Sequence, residues 1–268
     1  MHRPAPSTIR WLILAALLVF WELMPSTKLI PELFLPPLSK VLAVLAKDEY
    51  ASELSVTLYE VAFAMFIACG GGILCGALIG GITVLRQLLL PVFSSLYAVP
   101  IVILYPIFTA WFGIGSESKI IFAGVYGFFP VMLSTAAGIR TIDAQLLLAA
   151  RSMGATVPQQ ITRVIIPASI PTVLTGLRLG GALTIIGVVV SEMLISSAGI
   201  GYLVTRYRTI LDSPHVFGAI VVILLLSIAF DTFARAIEGR TAVWRMAGRR
   251  QKEGEVAEMV VRAAPAPV

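Results

Sequence analysis

The chain has 268 residues, 58% of them hydrophobic and only 13% charged, and its mean hydropathy is +0.92. That balance excludes an ordinary soluble domain. A formal net charge of +5 would suggest nucleic acid as partner of a soluble protein; in a chain this apolar it reports membrane orientation instead.

Six apolar blocks recur, at residues 9–24, 56–84, 88–111, 120–139, 171–195 and 216–237. Each is close to the ~20 residues a helix needs to cross hydrocarbon. Backbone polar groups must be satisfied internally in lipid, so the expected fold is all-α: a polytopic membrane bundle of six transmembrane helices. Residues 1–240 are expected to form one transmembrane domain, and the basic stretch 241–268 a disordered cytoplasmic tail that flanks the last span.

Arg3 and Arg10 precede an apolar run as in a secretory signal. No small-x-small cleavage site follows, the next residues being Met24, Pro25, Ser26 and Thr27, so an uncleaved first span is expected. After Pro31, Pro36 and Pro37, the residues Leu38, Val41, Leu42 and Leu45 recur at helical spacing. They predict a short amphipathic helix on the outer membrane surface.

The second block carries Ala68, Gly72, Gly76 and Gly80 at intervals of four, and the fifth repeats the device with Gly176, Gly180 and Thr184. Small-residue ridges let helices approach closely in lipid, here within the chain's own bundle rather than at a dimer seam. Cys69 and Cys75 lie six positions apart on one helix and point to separated faces, so they cannot pair. With His2 and His215 the only histidines, no metal site is expected. No G-x-x-x-x-G-K-[ST] phosphate loop occurs, so no nucleotide site is expected, and no cluster offers catalytic chemistry.

The third block holds Pro91, Pro100 and Pro106, with Ser94, Ser95, Tyr97, Tyr105 and Thr109 between them. Proline frees carbonyls and bends a helix, which is tolerated only against protein or a water-filled cavity. Ser94, Tyr97 and Tyr105 are the candidates for lining a solute path; interhelical hydrogen bonding is the alternative. Glu192, near the outer end of the fifth block, either snorkels to the interface or faces a cavity as a gate residue. Arg178 is expected to snorkel inward, and Asp231 with Arg235 to pair across one helical turn. The spans otherwise hold almost no ionisable residues, which speaks against ion-coupled carriage.

Placing the N-terminus inside puts fourteen of the twenty basic residues on the cytoplasmic side. Both termini, and the polar break between the fourth and fifth blocks, are then cytoplasmic. That break reads LAARSMGATVPQQITRVIIP over residues 148–167. Asp143 can cap a helix from Ala144 to Met153, and Gly154 suits the left-handed residue that ends it. Thr156 with Gln159 forms a capping box for a second helix, which Pro167 and Pro171 end as the next span begins. Small residues in so polar a projection imply a soluble partner that approaches closely.

The loop resembles the cytoplasmic E-A-A loop of ABC-importer permeases, whose pattern is E-A-A, three residues, Gly, nine residues, I-x-L-P. Gly154, Val164, Ile166 and Pro167 match its spacing. Further segments resemble the sulfonate/taurine/nitrate branch of that binding-protein-dependent family: WFGIGSESKI at 111–120, GFFPVMLSTAAGIR at 127–140, IIPASIPTVLTGLRLG at 165–180, SEML at 191–194 and AGIGYL at 198–203. The resemblance covers roughly residues 35–244.

It implies a permease subunit of a bacterial cytoplasmic membrane, moving a small polar, anionic solute of sulfonate, taurine or nitrate type. An ATP-independent secondary carrier or channel subunit is the alternative. The implied partners are two cytoplasmic ABC ATPase subunits, which would carry ATP and Mg, an extracytoplasmic solute-binding protein, a second permease copy and membrane lipid. The coupling residues implied are Leu148, Ala149, Ala150, Arg151, Gly154, Ala155 and Pro167. The family's Glu is Leu148 here, so the implied contact lacks that carboxylate unless Arg151 or Gln145 compensates.

Overall fold

The computed structural model describes residues 6–27 and 30–241; the basic tail read in the sequence lies outside the described residues. Among those residues the fold is all helix: α1 Pro6–Ser26, α2 Leu38–Leu45, α3 Asp48–Met65, α4 Gly72–Gly81, α5 Thr83–Tyr97, α6 Tyr105–Phe112, α7 Ser116–Arg140, α8 Ala144–Ser152, α9 Val157–Gln160, α10 Ile166–Leu194, α11 Ile200–Thr209 and α12 Ser213–Thr241. Five helical runs are long and apolar enough to cross a membrane, and a sixth is α5 with α6.

The second span begins eight residues earlier than its apolar block, at Asp48 rather than residue 56, and runs to Gly81 through a π-turn at Phe66–Gly71. Asp48 and Glu49 occupy its first turn, where the helix dipole favours negative charge. The third span is not one helix. α5 and the segment Ile101–Phe112 meet at 81°, with Pro100 at the break and Pro106 in the first turn of α6. The prolines therefore break the span and do not merely bend it.

α7 is the axis of the molecule. The ridge of α3–α4 lies on one side: a Cβ on Gly76 would sit 2.5 Å from the Met132 carbonyl oxygen, and one on Gly80 2.9 Å from Ala136 Cα. The ridge of α10 lies against another part of α7, where a Cβ on Gly180 would sit 2.7 Å from the Gly127 carbonyl oxygen. Both small-residue ridges thus pack the chain against itself, as expected from lipid-phase association. α2 is held by α1 through Glu22, which accepts from the Ser39 amide at 2.9 Å and its hydroxyl at 2.8 Å. Val41 is buried, whereas Leu42 is exposed. Cys69 and Cys75 are free thiols, as their spacing requires.

Candidate coupling loop and translocation path

Local chemistry accounts for the whole turn of the α8–α9 loop. Asp143 caps α8, its Oδ1 accepting from the Gln145 amide at 2.9 Å. Gly154 lies in the left-handed region at φ +76°. The Ala155 amide donates to the Ala150 carbonyl at 3.0 Å and the Gly154 amide to that of Arg151 at 2.9 Å. These two bonds define a Schellman motif, with Gly154 as its left-handed residue and Ala150 and Ala155 as the facing pair. The A-A-x-x-x-G spacing is therefore the spacing of a helix stop.

The Thr156–Gln159 capping box starts α9, and Gln160 bridges the turn, donating to the Ala155 carbonyl at 2.9 Å and accepting from Arg151 at 3.3 Å. Leu148, Met153 and Val157 are 66%, 87% and 67% exposed, so the projection carries an apolar tip. Arg151 is itself exposed, with its Nε–H turned to Gln160.

Pro167 and Pro171 do not end the second helix. One helical run extends over Val157–Leu194, and the chain widens into a π-turn at Ile161–Ile165, where the Ile166 amide reaches back to Ile161. A proline ring clashes with the carbonyl four residues earlier; the wider turn before Pro167 relieves that clash, so α10 is joined to the loop by continuous helix. An open cleft of about 720 Å³ lies at this junction, lined by Leu146, Arg163, Val164, Pro167, Ala168, Ile170 and Pro171.

The four candidate path residues separate into two pairs. Ser94 and Tyr97 lie exposed on α5. Tyr105 is fully buried; its hydroxyl donates to the Ile195 carbonyl at 3.1 Å. Glu192 is 1% exposed, accepting from Thr57 Oγ1 at 2.7 Å and from the Gly201 amide at 2.8 Å. It has not snorkelled to an interface. It does border an open cleft of about 400 Å³ with Ser196, Tyr202 and Arg206.

Glu192 belongs to a polar cluster that the apolar blocks conceal. Glu53, Thr57 and Glu60 fall on one face of α3 at helical spacing. The first three amides around the start of α11 each find a side chain there or on α10: Gly199 donates to Glu53 at 2.5 Å, Ile200 to Thr57 at 2.9 Å and Gly201 to Glu192. The unsatisfied donors of a helix N-terminus are thereby met, and its dipole faces carboxylates. Gly199 lies at φ +106°, and a Cβ there would collide with the Glu192 carboxylate, so backbone and space both select glycine.

Glu60, fully buried, pairs with Lys119 at 2.5 Å and accepts from Ser116 at 2.8 Å. Lys119 also donates to Ser196 Oγ at 3.0 Å and the Ala198 carbonyl at 3.4 Å. Lys119 is 2% exposed. The expectation of almost no ionisable groups within the bundle is corrected accordingly. The i, i+4, i+7 spacing of Glu53, Thr57 and Glu60 was the signal for it. At the other end Arg178 does not snorkel freely: it pairs with Asp231 at 2.7 Å and Glu238 at 3.5 Å. Asp231 also makes the expected pair with Arg235, at 2.7 Å.

Among the described residues no His, Cys, Asp and Glu group is arranged to hold a metal. Residues 71–243 match the model of the binding-protein-dependent transport system inner membrane component. The chain is 31% identical to a putative aliphatic sulfonates transport permease of Bacillus subtilis (strain 168) over 87% of this chain and 86% of the relative. It is also 31% identical to the taurine transport system permease of Escherichia coli (strain K12), over 86% and 87%. The fold matches a chain of the methionine ABC transporter MetNI in an inward-facing conformation with a TM-score of 0.58 at 18% identity, covering 75% of this chain and 97% of that one. With a helix-stop loop joined to a six-span bundle and a family match over most of its length, the chain belongs to the binding-protein-dependent transport system inner membrane components, the permease subunits of ABC importers.

Proposed function

We propose that this permease forms the membrane pathway of an importer for a small anionic solute of the sulfonate and taurine class, the class named for its relatives. Two ATPase subunits engage the 143–168 loop from the cytoplasm and carry the ATP and Mg. A second permease copy completes the pathway, and a binding protein delivers solute at the opposite face. Residues 1–240 act as one permease unit with both termini cytoplasmic. Ser94 and Tyr97 line the path from α5.

The observation that carries this reading is the loop itself: a capped, Schellman-terminated projection with exposed Leu148, Met153 and Val157 at its tip. Apolar side chains on a cytoplasmic projection favour a partner's groove. Glu60 and Lys119 neutralise each other, so that pair does not favour ion-coupled carriage.

Single cysteines introduced into a cysteine-free chain test the arrangement with a membrane-impermeant thiol reagent. Lys47→Cys and Arg206→Cys should label from outside, and Gln159→Cys only after permeabilisation. Labelling of Gln159→Cys from outside would separate the loop from any cytoplasmic ATPase and overturn the reading.

A further inference from the structure

We propose that the broken span α5–α6 is the moving gate of this permease, and that the Tyr105 hydroxyl latches it to a rigid body made of α3, α4, α7, α10, α11 and α12. The proposal rests on the transport reading for the purpose of the motion, but not for its existence.

The two parts are held together differently. Thirteen residues of α7 and eleven of α10 are buried. Their contacts are backbone-close glycine ridges, whose small residues leave no slack for sliding. The outer end of this body is further riveted by Glu60 with Lys119 and by the three-point capping of α11. Directional, charge-assisted bonds in a dry setting resist displacement.

The broken span has far less of this. No residue of α5 is buried, and in the segment Ile101–Phe112 only Ile101 and Tyr105 are. The faces it presents to α7 are aromatic: Phe93 against Phe128 and Phe129, Tyr97 against Phe129, Phe108 against Phe122. Such contacts rest mainly on apolar burial, and their angular preference is weaker than that of a charge-assisted hydrogen bond. Across this soft boundary Tyr105 supplies a directional tie, its hydroxyl donating to the Ile195 carbonyl at the end of α10.

Both ends of the broken span are built to turn. Ile82 is extended between α4 and α5, next to Gly81, whose added Cβ would meet nothing within 4 Å. Gly113 closes α6 at φ 82°, ψ −179°, a region essentially restricted to glycine, also in open space. Immediately after it, Ser116 bonds Glu60, so the pivot sits on the riveted part of the body.

The test uses the full chain in lipid nanodiscs, Cys69→Ala and Cys75→Ala, with labelled copies diluted among unlabelled ones so that distances lie within one copy. Spin labels at Val99→Cys and Thr209→Cys report the gate against the body; labels at Ser55→Cys and Ala236→Cys report the body alone. Tyr105→Phe removes the hydroxyl and keeps the ring. It should raise a displaced gate population about 2- to 10-fold, the effect of one net hydrogen bond. Gly113→Ala, which disfavours the observed linker, should shift it in the same direction. The body pair should not change. An unaltered gate distribution in both variants, or a broadened body pair, would overturn the proposal. No ATPase is needed, so failure to recruit one would count against the transport reading and leave the gate to be decided by these distances.

Discussion

Lys119 and Glu60 meet at 2.5 Å with side chains 3% and 0% exposed, joining α7 to α3 inside the bundle. Lys119 spends its remaining donors on Ser196 and the Ala198 carbonyl, while Ser116 supplies Glu60 with a second donor on the same oxygen. One ion pair therefore fixes three things at once: the start of α7, the middle of α3 and the turn from α10 into α11.

Breaking this pair from one side should be severe. Lys119→Met strands a buried carboxylate and should lower stability by about 3–5 kcal/mol. Glu60→Leu with Lys119→Met removes both charges and should recover most of that loss, because a buried pair is seldom better than apolar groups of similar volume. Thermal unfolding of the purified chain in detergent, compared across the double-mutant cycle, measures the difference. A double variant no better than Lys119→Met would mean that the pair is not the reason.

What the sequence revealed and what it hid divide along one physical line. Features set by neighbours in the chain were legible: the Asp143 cap, the left-handed Gly154, the Thr156–Gln159 box and the glycine ridges all took their expected places. Features set by distant partners were not. Glu60 and Lys119 are 59 positions apart: the spacing of Glu53, Thr57 and Glu60 marks a polar face on α3 but does not name its mate. Tyr105 looked like a path residue because its hydroxyl is polar; its acceptor, Ile195, lies 90 positions away. Pro167 misled differently, since a π-turn can absorb a proline that an α-helix would not.

The glycine ridge offers its own control. Gly76→Val would drive a side chain into the Met132 carbonyl, 2.5 Å from the new Cβ, and into Thr135 Cβ at 2.7 Å. Overpacking of this kind should cost about 1–3 kcal/mol or more, since the obstruction includes backbone. Gly81→Ala meets nothing within 4 Å and should leave unfolding within about 0.5 kcal/mol. Equal loss in both variants would show that the seam with α7 is not what selects glycine at position 76.

Leu148 replaces a carboxylate with an exposed apolar side chain, so its contact with an ATPase should be hydrophobic. Burying a leucine is worth about 1.5–3 kcal/mol. Leu148→Ala should accordingly weaken co-purification of the ATPase by about tenfold or more, and raising salt should not weaken the parental contact at this position. Retained affinity in Leu148→Ala would place the contact elsewhere on the loop.

Gly154 links the aim of α9 to the end of α8. At φ +76° with open space around it, the position rejects other residues through backbone strain rather than collision. Gly154→Leu should cost about 1–2 kcal/mol in the observed turn, enough to favour a different exit angle for the second helix. Gly154→Asn should be milder, because asparagine tolerates the left-handed region better. α9 runs by continuous helix into α10, so a change of exit angle would reach the bundle as misdirected motion rather than as loss of fold. The expected result is normal membrane insertion with solute uptake per ATP hydrolysed falling in reconstituted vesicles, more in Gly154→Leu than in Gly154→Asn. Unchanged uptake per ATP in both would reduce the loop to a linker and remove the mechanical role assigned to its turn.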